Sequence, residues 1–268
     1  MYKKLEKLFY NRILRGLFFT SRLGRKTMMG YADTGINFDY IYRNIAVGYT
    51  KFGKIVDRIL LNLPAAKATV NRKDSIVKLL REEIEKNRAD KKKTKIVDLA
   101  SGPARYIIET IDDDNKEHVE VLCLELDRRS IQFGKRISLD KPILYKKANI
   151  LKVGSRYKTI SDKVKWIPNV IMVSGFIEYQ KSDTLVLDLL KKIYEHLDEK
   201  GMLLLVTQMG SPNRQLTEKL GITREGKEWK LYYRNPEPLK GLLMAAGFKN
   251  IRVEPDKWNM YVYCRGEK

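Results

Sequence analysis

Two acidic residues in this sequence each follow the apolar part of a predicted β-strand. Asp98 lies in KIVDLA and is followed by the small residues Ala100, Ser101 and Gly102, while Glu125 closes VEVLCLE. Small side chains let a ligand approach the backbone, and the start of the next helix offers free N–H groups to a polar ligand. An acid roughly 20 residues beyond such a turn can accept hydrogen bonds from both hydroxyls of a ribose. The pair therefore predicts a site for a nucleoside-containing ligand.

The turn on its own is weak evidence, because a tight connection between a strand and a helix looks similar without any ligand. The second acid at the expected spacing strengthens the interpretation. Since the turn lacks the full GxGxxG pattern, the residues favour a mononucleoside-type cofactor over a nicotinamide dinucleotide.

The elements that would position these residues alternate between strands and helices from Lys95 onward. This part of the chain contains seven short β-rich runs: KIVDLA, EVLCLEL, PILYKKA, NVIMVSG, GMLLLVT, KNIRVEP and MYVYCRG. Helix-like segments separate them, near residues 106–111, 127–135, 183–197 and 236–246. Near-continuous apolar strands that alternate with helices are typical of a parallel sheet covered on both faces. The fold class predicted is α/β, a doubly wound, mostly parallel seven-stranded sheet with an N-terminal helical extension.

The same residues resemble the motifs of class I S-adenosylmethionine-dependent methyltransferases. VDLASGPAR is similar to the first motif, an acid followed by GxGxG, with Ala100 and Ala104 in place of the outer glycines. CLELDRRSI is similar to the second motif, which implies that Glu125 binds the ribose and that Leu126 lies beneath the adenine. Asn149 falls where the family commonly has an acid that binds the adenine amino group, and an amide oxygen can still accept that hydrogen bond.

The run NVIMVSGFIEY resembles the fourth motif, whose loop lies beside the transferable methyl group. The cofactor that this resemblance implies is S-adenosyl-L-methionine. The residues expected to contact it follow the predicted strands: Asp98, Ala100, Ser101, Gly102, Glu125, Leu126, Asn149, Ile150, Ser174 and Gly175. Glu178 or Tyr179 would act as the base or orient the acceptor, unless Glu178 caps the next helix and Tyr179 packs. No metal is expected, since the chain has only two His and two Cys.

A narrower resemblance, to a bacterial subgroup of class I methyltransferases whose substrate is not established, extends to both ends of the chain. It rests on seven runs: FDYIYRN, IVDRILLNLP, SGFIEY, TQMGSPNRQL, EWKLYYR, AAGFKNI and DKWNMYV. In that subgroup the unit is often joined to hydrolase-like or lipid-metabolism-like domains. By this likeness polar and aromatic side chains would face the substrate cleft: Tyr42, Arg43, Gln208, Trp229, Arg234 and Trp258. Each of them could instead belong to the core or the surface.

Basic charge is concentrated in the first third of the chain. The formal net charge is +20, and residues 1–95 carry 23 Lys and Arg against nine Asp and Glu. Such a region attracts anionic lipid headgroups, nucleic acid phosphates or an acidic protein. The domains predicted are a basic helical region, residues 1–92, that serves as a lid or binds a partner, and an S-adenosylmethionine-binding α/β core, residues 93–268.

A helix predicted over residues 2–19 combines Leu and Phe with Lys and Arg, which is the composition of an interfacial anchor. Its apolar residues Leu5, Phe9, Ile13 and Leu17 recur every four positions. No apolar run reaches the roughly 18 residues of a membrane span. Cys123 and Cys264 lack the spacing of a disulfide, which suits a reducing compartment. We expect a cytoplasmic protein with peripheral contact at the inner face of the membrane.

Three functions compete at this point. The first is a methyltransferase acting on a small-molecule or lipid-like N or O acceptor at an anionic membrane surface. The second is an RNA methyltransferase whose basic N-terminal region follows phosphates, although the fourth motif lacks the Asn-Pro-Pro-Tyr-like element used on base amino groups. The third is a non-catalytic S-adenosylmethionine-binding protein, which Ala100, Ala104 and Asn149 leave open.

Overall fold

The computed structural model describes residues 15–152 and 163–268, and these form two compact units. The helical unit comprises the described residues up to Arg72 together with Ser211–Lys230. The α/β unit comprises the described residues of Lys73–Gly210 and Leu231–Lys268. This division differs from the predicted boundary between residues 92 and 93. The first unit ends inside a long helix, and a later segment of the chain returns to it.

Within the described residues the helices are, in chain order, α1 (Arg15–Thr20), α2 (Arg22–Lys26), α3 (Gly35–Arg43), α4 (Lys51–Leu61), α5 (Pro64–Ala89), α6 (Arg105–Thr110), α7 (Arg128–Ile137), α8 (Asp183–His196), α9 (Arg214–Leu220) and α10 (Pro236–Ala245). A kinked segment, Thr27–Tyr31, follows α2, and its residues Met29 and Gly30 have non-helical backbone angles. Three short 3-10 turns complete the described helical elements: Lys116–His118, Ile150–Lys152 and Ile177–Tyr179. The residues of the predicted 2–19 helix that precede Arg15, with Leu5, Phe9 and Ile13, lie outside the described residues.

Polar side chains fix where several helices begin. A side-chain oxygen at the N-cap accepts a backbone hydrogen bond that the first turn would otherwise lack. The capping residues are Ser21 for α2, Thr34 for α3, Thr50 for α4, Asp127 for α7 and Ser182 for α8. Helix α3 ends at Asn44 in the left-handed conformation, which starts the loop before α4.

The α/β unit contains one seven-stranded sheet within the described residues. Its strands are β1 (Thr94–Leu99), β2 (Val119–Glu125), β3 (Ile143–Lys147), β4 (Val170–Ser174), β5 (Met202–Gln208), β6 (Lys249–Pro255) and β7 (Tyr261–Glu267). The order is β3-β2-β1-β4-β5-β7-β6, and only the pairings of β7 are antiparallel. The predicted α/β class is confirmed, and each of the seven β-rich runs forms a strand.

The sheet is apolar because helices cover it. The central strands β1, β4 and β5 are buried almost throughout. Val173 and Leu205 pack in one cluster with Leu190 of α8 and Leu243 of α10. Parallel strands buried on both faces read as continuous apolar runs, which is why their sequences show no alternation. The packed core holds the ends of the strands in fixed positions.

A buried carboxylate organises the helical unit. Asp57 of α4 is fully buried and accepts four hydrogen bonds, from Ser21 Oγ at 2.6 Å, Leu23 N at 2.9 Å, Tyr40 Oη at 2.5 Å and Gly48 N at 2.7 Å. These donors come from α2 with its N-cap, from α3 and from the loop before α4. One side chain therefore ties together four pieces of the unit.

Among the described residues, none of the helices combines the length and the apolar character that crossing a membrane requires.

Candidate cofactor site

The strand order reverses beside β1, whose neighbours are β2 and β4. Leu99 of β1 is in register with Leu124 of β2 and with Val173 of β4, so these three strands end at one edge. In open α/β sheets ligands bind outside the carboxyl ends of the strands at such a switch point. Most of the residues predicted to bind the cofactor follow these ends.

The turn after β1 has an unusual backbone. Ala100, Gly102 and Ala104 all lie in the left-handed region, with φ of 58°, 57° and 58°. Alternation of this kind folds the chain tightly. The N–H groups of the turn are engaged within the protein, since Gly102 N donates to Glu125 Oε2 at 2.7 Å and Ala104 N donates to Ser101 O at 3.0 Å. Ser101, predicted as a cofactor contact, is buried, and its N–H donates to Leu124 O at 3.2 Å. The turn is thus anchored to the neighbouring strand.

Glu125 joins the two predicted motifs. Its Oε2 accepts a hydrogen bond from Gly102 N at 2.7 Å, and its Oε1 accepts from Leu126 N and Asp127 N, both at 2.8 Å. A carboxylate offers about four acceptor positions, so capacity for a further donor remains. The side chain is therefore oriented by three backbone groups before any ligand arrives.

Asp98 lies one residue before the end of β1 and is fully buried. Neither of its carboxylate oxygens has a hydrogen-bond partner of regular geometry among the described residues. Burial raises the pKa of Asp98 well above 3.8, the nearby Tyr106 hydroxyl opposes this shift, and the charge of Glu125 adds to it. A buried carboxylate of this kind lowers the stability of the fold unless it accepts a hydrogen bond or pairs with a cation.

The remaining predicted cofactor contacts divide into two groups. Ser174 at the end of β4 is buried, and its hydroxyl has no hydrogen-bond partner among the described residues, while Gly175 has φ of 75°. Leu126 is an apolar residue left 54% exposed directly after β2. In contrast, Asn149 Oδ1 accepts from Leu151 N at 3.1 Å, and Ile150 packs into the core. Ser174, Gly175 and Leu126 therefore lie at the carboxyl edge of the sheet, whereas Asn149 and Ile150 form the turn after β3.

The two predicted catalytic residues lie in the 3-10 turn after β4. Glu178 is buried, and its Oε2 accepts a hydrogen bond from Thr207 Oγ1 at 2.8 Å. Tyr179 is half-buried. The backbone of this turn is tied to the segment after Lys230, because Tyr232 N donates to Glu178 O at 2.7 Å.

Arg234 holds the same turn in place. Its guanidinium is buried and donates to Ile177 O at 3.0 Å, to Gln180 O at 2.6 Å and to Asp183 Oδ1 at 2.8 Å. Arg234 N also donates to Gln208 O at 3.4 Å. The guanidinium predicted to face substrate is therefore engaged within the α/β unit, where it orders the loop that carries the predicted catalytic residues.

Three of the residues predicted for the substrate pocket belong to the helical unit. Tyr42 is buried and hydrogen-bonded to Arg72, whose guanidinium lies 5.4 Å from its ring centroid. Arg43 pairs with Asp39 at 3.2 Å. The ring of Trp229 meets Phe38 edge-on at 6.2 Å. Gln208 and Trp258 belong to the α/β unit, where Gln208 is buried and Trp258 is half-buried.

Two residues that support the site were not predicted. Tyr145 of β3 donates from its hydroxyl to Pro103 O at 2.9 Å, and Thr207 of β5 holds Glu178. The signal for each residue is a hydroxyl at a buried position of a strand, because buried hydroxyls normally have a partner.

The chemistry of this edge fits S-adenosylmethionine, the ligand expected from the sequence. Its ammonium group and ribose hydroxyls are donors, whereas Asp98, Glu125 and Ser174 present acceptors. Leu126 offers an exposed apolar surface to the base. The residues that would hold the molecule are therefore those of the turn, the end of β2 and the end of β4.

Comparison with known proteins gives a family and a fold. The model of the family described as "Putative methyltransferase" matches residues 2–266. The chain is 20% identical over 234 residues to the uncharacterized protein YnbC of Escherichia coli strain K12, in an alignment covering 85% of this chain and 39% of that protein. The chain thus spans 39% of the length of this curated relative.

Solved structures resemble the chain at low identity. A Bordetella parapertussis protein described as a possible exported protein has a TM-score of 0.72 at 16% identity and covers 94% of this chain and 85% of its own. Magnesium protoporphyrin IX methyltransferase from Synechocystis PCC 6803, with bound S-adenosylhomocysteine, has a TM-score of 0.54 at 11% identity and covers 96% and 98%. The N-methyltransferase NodS from Bradyrhizobium japonicum WM9, also with S-adenosylhomocysteine, has a TM-score of 0.52 at 10% identity and covers 86% and 97%.

These likenesses show that the α/β unit has the class I methyltransferase fold. The family match runs through both compact units, and the polar edge of the sheet lies where that fold binds its ligand. The chain therefore belongs to the family described as "Putative methyltransferase", and its α/β unit has the class I methyltransferase fold.

Proposed function

We propose that the protein transfers a methyl group to a nitrogen or oxygen atom of a small-molecule or lipid-like acceptor at an anionic membrane surface. The observation that carries the cofactor part is the fully buried carboxylate of Asp98 at the switch point of the sheet, where no described residue gives either oxygen a hydrogen bond of regular geometry. S-adenosylmethionine, when bound, supplies an electrophilic methyl group on a sulfonium.

The residues of the chain then mainly position the cofactor and the methyl acceptor. Asp98 would accept from the ammonium group and Glu125 from the ribose, while Leu126 covers the base. An in-line displacement requires a nucleophile held close to the methyl group and shielded from water. The turn after β4, held by Arg234 and Thr207, provides a rigid element for this purpose.

Glu178 and Tyr179 are the proposed acceptor-side residues. An amine must be neutral and a hydroxyl must lose its proton before attack. A carboxylate fixed by Thr207 can orient a donor group of the acceptor or take its proton. Tyr179, half-buried beside it, can supply a hydroxyl contact.

The lipid-like acceptor is supported by the composition of the basic region. Residues 1–31 contain eight Lys and Arg and one acid, together with Leu and Phe. Basic and apolar residues in one segment are typical of proteins that meet an anionic bilayer.

The test uses S-adenosylmethionine with a radiolabelled methyl group. Purified protein is incubated with bacterial polar lipids in vesicles, with a mixture of small amines and phenols, and with total RNA. We expect label in lipid or in small products, and none with Glu125→Ala. Glu117→Ala is the matched control, since Glu117 is an exposed acid outside the site. Label confined to RNA would contradict the proposed acceptor.

The basic charge also favours a second candidate, an RNA methyltransferase. Residues 1–95 carry a net charge of +14 out of the +20 of the chain. Such a protein should retain tRNA or rRNA on a filter at about 50 mM salt and lose it steeply as salt rises. Failure to retain RNA at that salt concentration would remove this candidate.

A further inference from the structure

The helical unit exposes large apolar side chains on one helix and the loop that precedes it. Six of them form what we call the α4 face: Ile45, Val47, Tyr49, Phe52, Ile55 and Ile59. Their exposed fractions range from 41% for Val47 to 59% for Ile55. Single exposed apolar residues are common on protein surfaces, but six of them on one helix and the adjoining loop are a candidate for an interaction surface.

The loop that carries Ile45, Val47 and Tyr49 is held against α4. Gly48, with φ of 55°, lies so close to α4 that a Cβ there would be 2.2 Å from Lys54 N. Asp57 Oδ2 accepts from Gly48 N at 2.7 Å, and Arg58 Nη1 donates to Asn44 O at 3.4 Å. The loop is therefore fastened to α4 at both of its ends. Its apolar side chains keep a fixed relation to those of the helix.

Helix α4 has three distinct sides. Gly53, Val56, Asp57 and Leu61 are buried in the unit. Phe52, Ile55 and Ile59 follow one another at spacings of three and four, so they lie on one exposed side. Lys51, Lys54 and Arg58 are exposed next to them. A helix with an outward apolar stripe bordered by basic residues is the arrangement of helices that lie in a membrane interface.

The exposed charged side chains of residues 15–72, the segment that contains the α4 face, are all basic. Residues 15–72 contain ten Lys and Arg and three Asp, and two of these acids, Asp39 and Asp57, are buried. The third, Asp33, is half-buried and accepts from Arg224 N at 3.1 Å. An anionic surface would meet the basic residues here without repulsion from an exposed acid of the same segment.

We propose that the α4 face docks on an anionic lipid bilayer, with Phe52, Ile55 and Ile59 entering the acyl boundary and Lys51, Lys54 and Arg58 meeting the headgroups. This inference rests on the proposed function, which places the methyl acceptor at an anionic membrane, and it names the part of the protein that would contact that membrane. Aliphatic side chains gain from burial in lipid and gain nothing from phosphates. Surfaces that bind nucleic acid combine a positively charged groove with aromatic stacking instead, which is why the bilayer is the occupant we infer.

The test measures partition of the full chain onto sedimented vesicles of phosphatidylcholine alone or with about 30% phosphatidylglycerol. The serine variant removes the apolar side chains and combines Phe52→Ser, Ile55→Ser and Ile59→Ser. The glutamine variant removes the basic charge and combines Lys51→Gln, Lys54→Gln and Arg58→Gln. Matched controls make the same changes elsewhere at exposed positions: Leu139→Ser with Leu185→Ser and Met244→Ser, and Lys78→Gln with Lys86→Gln and Lys92→Gln. A thermal melt of each variant confirms that it is folded.

We expect the wild type to bind the anionic vesicles and to release as salt is raised. The serine variant should lose at least tenfold in partition. The glutamine variant should lose about 100-fold at low salt, because each basic residue near an anionic surface contributes about a fivefold gain. Both control variants should stay within about twofold of the wild type.

Several results would overturn the proposal. One is equal partition of the serine variant and the wild type; another is loss of binding only when residues 1–14 are removed, which would assign the anchor to that segment. A dimer in light scattering that the serine variant abolishes would assign the face to a second copy. RNA retention lost in the glutamine variant, with no vesicle binding by the wild type, would assign it to nucleic acid. Calorimetry with S-adenosylmethionine on the same preparations tests the proposed function separately, since the α4 face contains none of the cofactor residues.

Discussion

Ala100 and Ala104 hold a backbone conformation that glycine adopts without steric cost. Their φ of 58° places them in the left-handed region, which costs an L-residue about 1–2 kcal/mol. Glycine loses part of this gain through the greater freedom of its unfolded chain, about 0.4–1 kcal/mol. The two alanines therefore lower the stability of the turn, and they occupy the positions where the family motif has glycine.

We expect Ala100→Gly and Ala104→Gly each to raise the free energy of unfolding by about 0.5–1 kcal/mol. Chemical denaturation with urea measures the change. Ala66→Gly, inside α5, is the matched control and should instead lose about 1 kcal/mol. A loss of stability in either turn variant would show that the alanine methyl groups make contacts worth more than the strain.

Asp98→Asn tests how the buried carboxylate of Asp98 affects stability and ligand binding. The raised pKa of Asp98 means that the folded protein holds a proton that the unfolded chain releases above about pH 3.8. Wild-type stability therefore falls as pH rises above that value, and the neutral amide avoids the loss. We expect the variant to be more stable than the wild type at pH 8 by about 1 kcal/mol or more, and to show no such gain near pH 4.

The same variant should bind S-adenosylmethionine at least tenfold more weakly, because an amide cannot release a proton and offer a negative charge to the ligand's ammonium group. Thermal melts across pH and calorimetry at pH 8 are the two measurements. Unchanged affinity would show that Asp98 only shapes the turn.

At the scale of elements, the helical unit depends on α4 and its buried acid. Burial alone would raise the pKa of Asp57, but hydrogen bonds from Ser21, Tyr40, Leu23 and Gly48 outweigh it and lower the pKa below 3.8. Burial and the hydrogen bond to Asp57 raise the pKa of Tyr40 to about 12, which keeps its hydroxyl protonated as a donor. The two groups are complementary over the whole neutral range.

We expect Asp57→Asn to lower the free energy of unfolding by about 2–4 kcal/mol at pH 7, since hydrogen bonds to a buried charge are lost. A group with a lowered pKa contributes above its unfolded value and loses that contribution as pH falls through the folded value. The difference between variant and wild type should therefore shrink below about pH 4. Circular dichroism melts from pH 3 to pH 8 measure it, with the exposed Asp140→Asn as control. A difference independent of pH would contradict this account.

The strands were predictable from sequence, and the reason is physical. Parallel strands that are buried on both faces, such as β4 and β5, are continuous apolar runs. Their burial is therefore visible in the local sequence. The acids Asp98 and Glu125 were recognisable because they follow such runs. Contacts made across long stretches of chain were not. Thr207 on Glu178, and Arg234 on Ile177 and Gln180, depend on pairings that no local pattern records.

At the scale of the whole molecule, Ser211–Lys230, which lies between β5 and α10, belongs with the N-terminal helices. Ile222 N donates to Thr27 O at 2.9 Å, Ala32 N donates to Ile222 O at 3.2 Å, and Leu220 packs on Phe18 and Met28. The predicted division at residue 92 could not include this return, because its apolar residues look like those of any α/β connection.

Leu220→Ala tests whether this segment stabilises the helical unit. Leu220 is buried, and removal of a buried Leu side chain costs about 2–5 kcal/mol. We expect Trp229, which lies in the helical unit, to report an earlier fluorescence transition in urea. Trp166→Phe and Trp258→Phe in the background isolate that signal. Affinity for S-adenosylmethionine should stay within about threefold, since Asp98 and Glu125 belong to the other unit, and a larger change would contradict the assignment of the site to the α/β unit alone.

The place of β7 between β5 and β6 has a consequence for synthesis. Strands β1 to β5 pair with one another in parallel, and β6 pairs only with β7. The nascent α/β unit therefore keeps β5 as an open edge until Tyr261–Glu267 leaves the ribosome. An unpaired apolar edge attracts other chains. Ribosomes that stall after β5 should therefore carry a chain that recruits chaperones, and release of β7 should end that dependence.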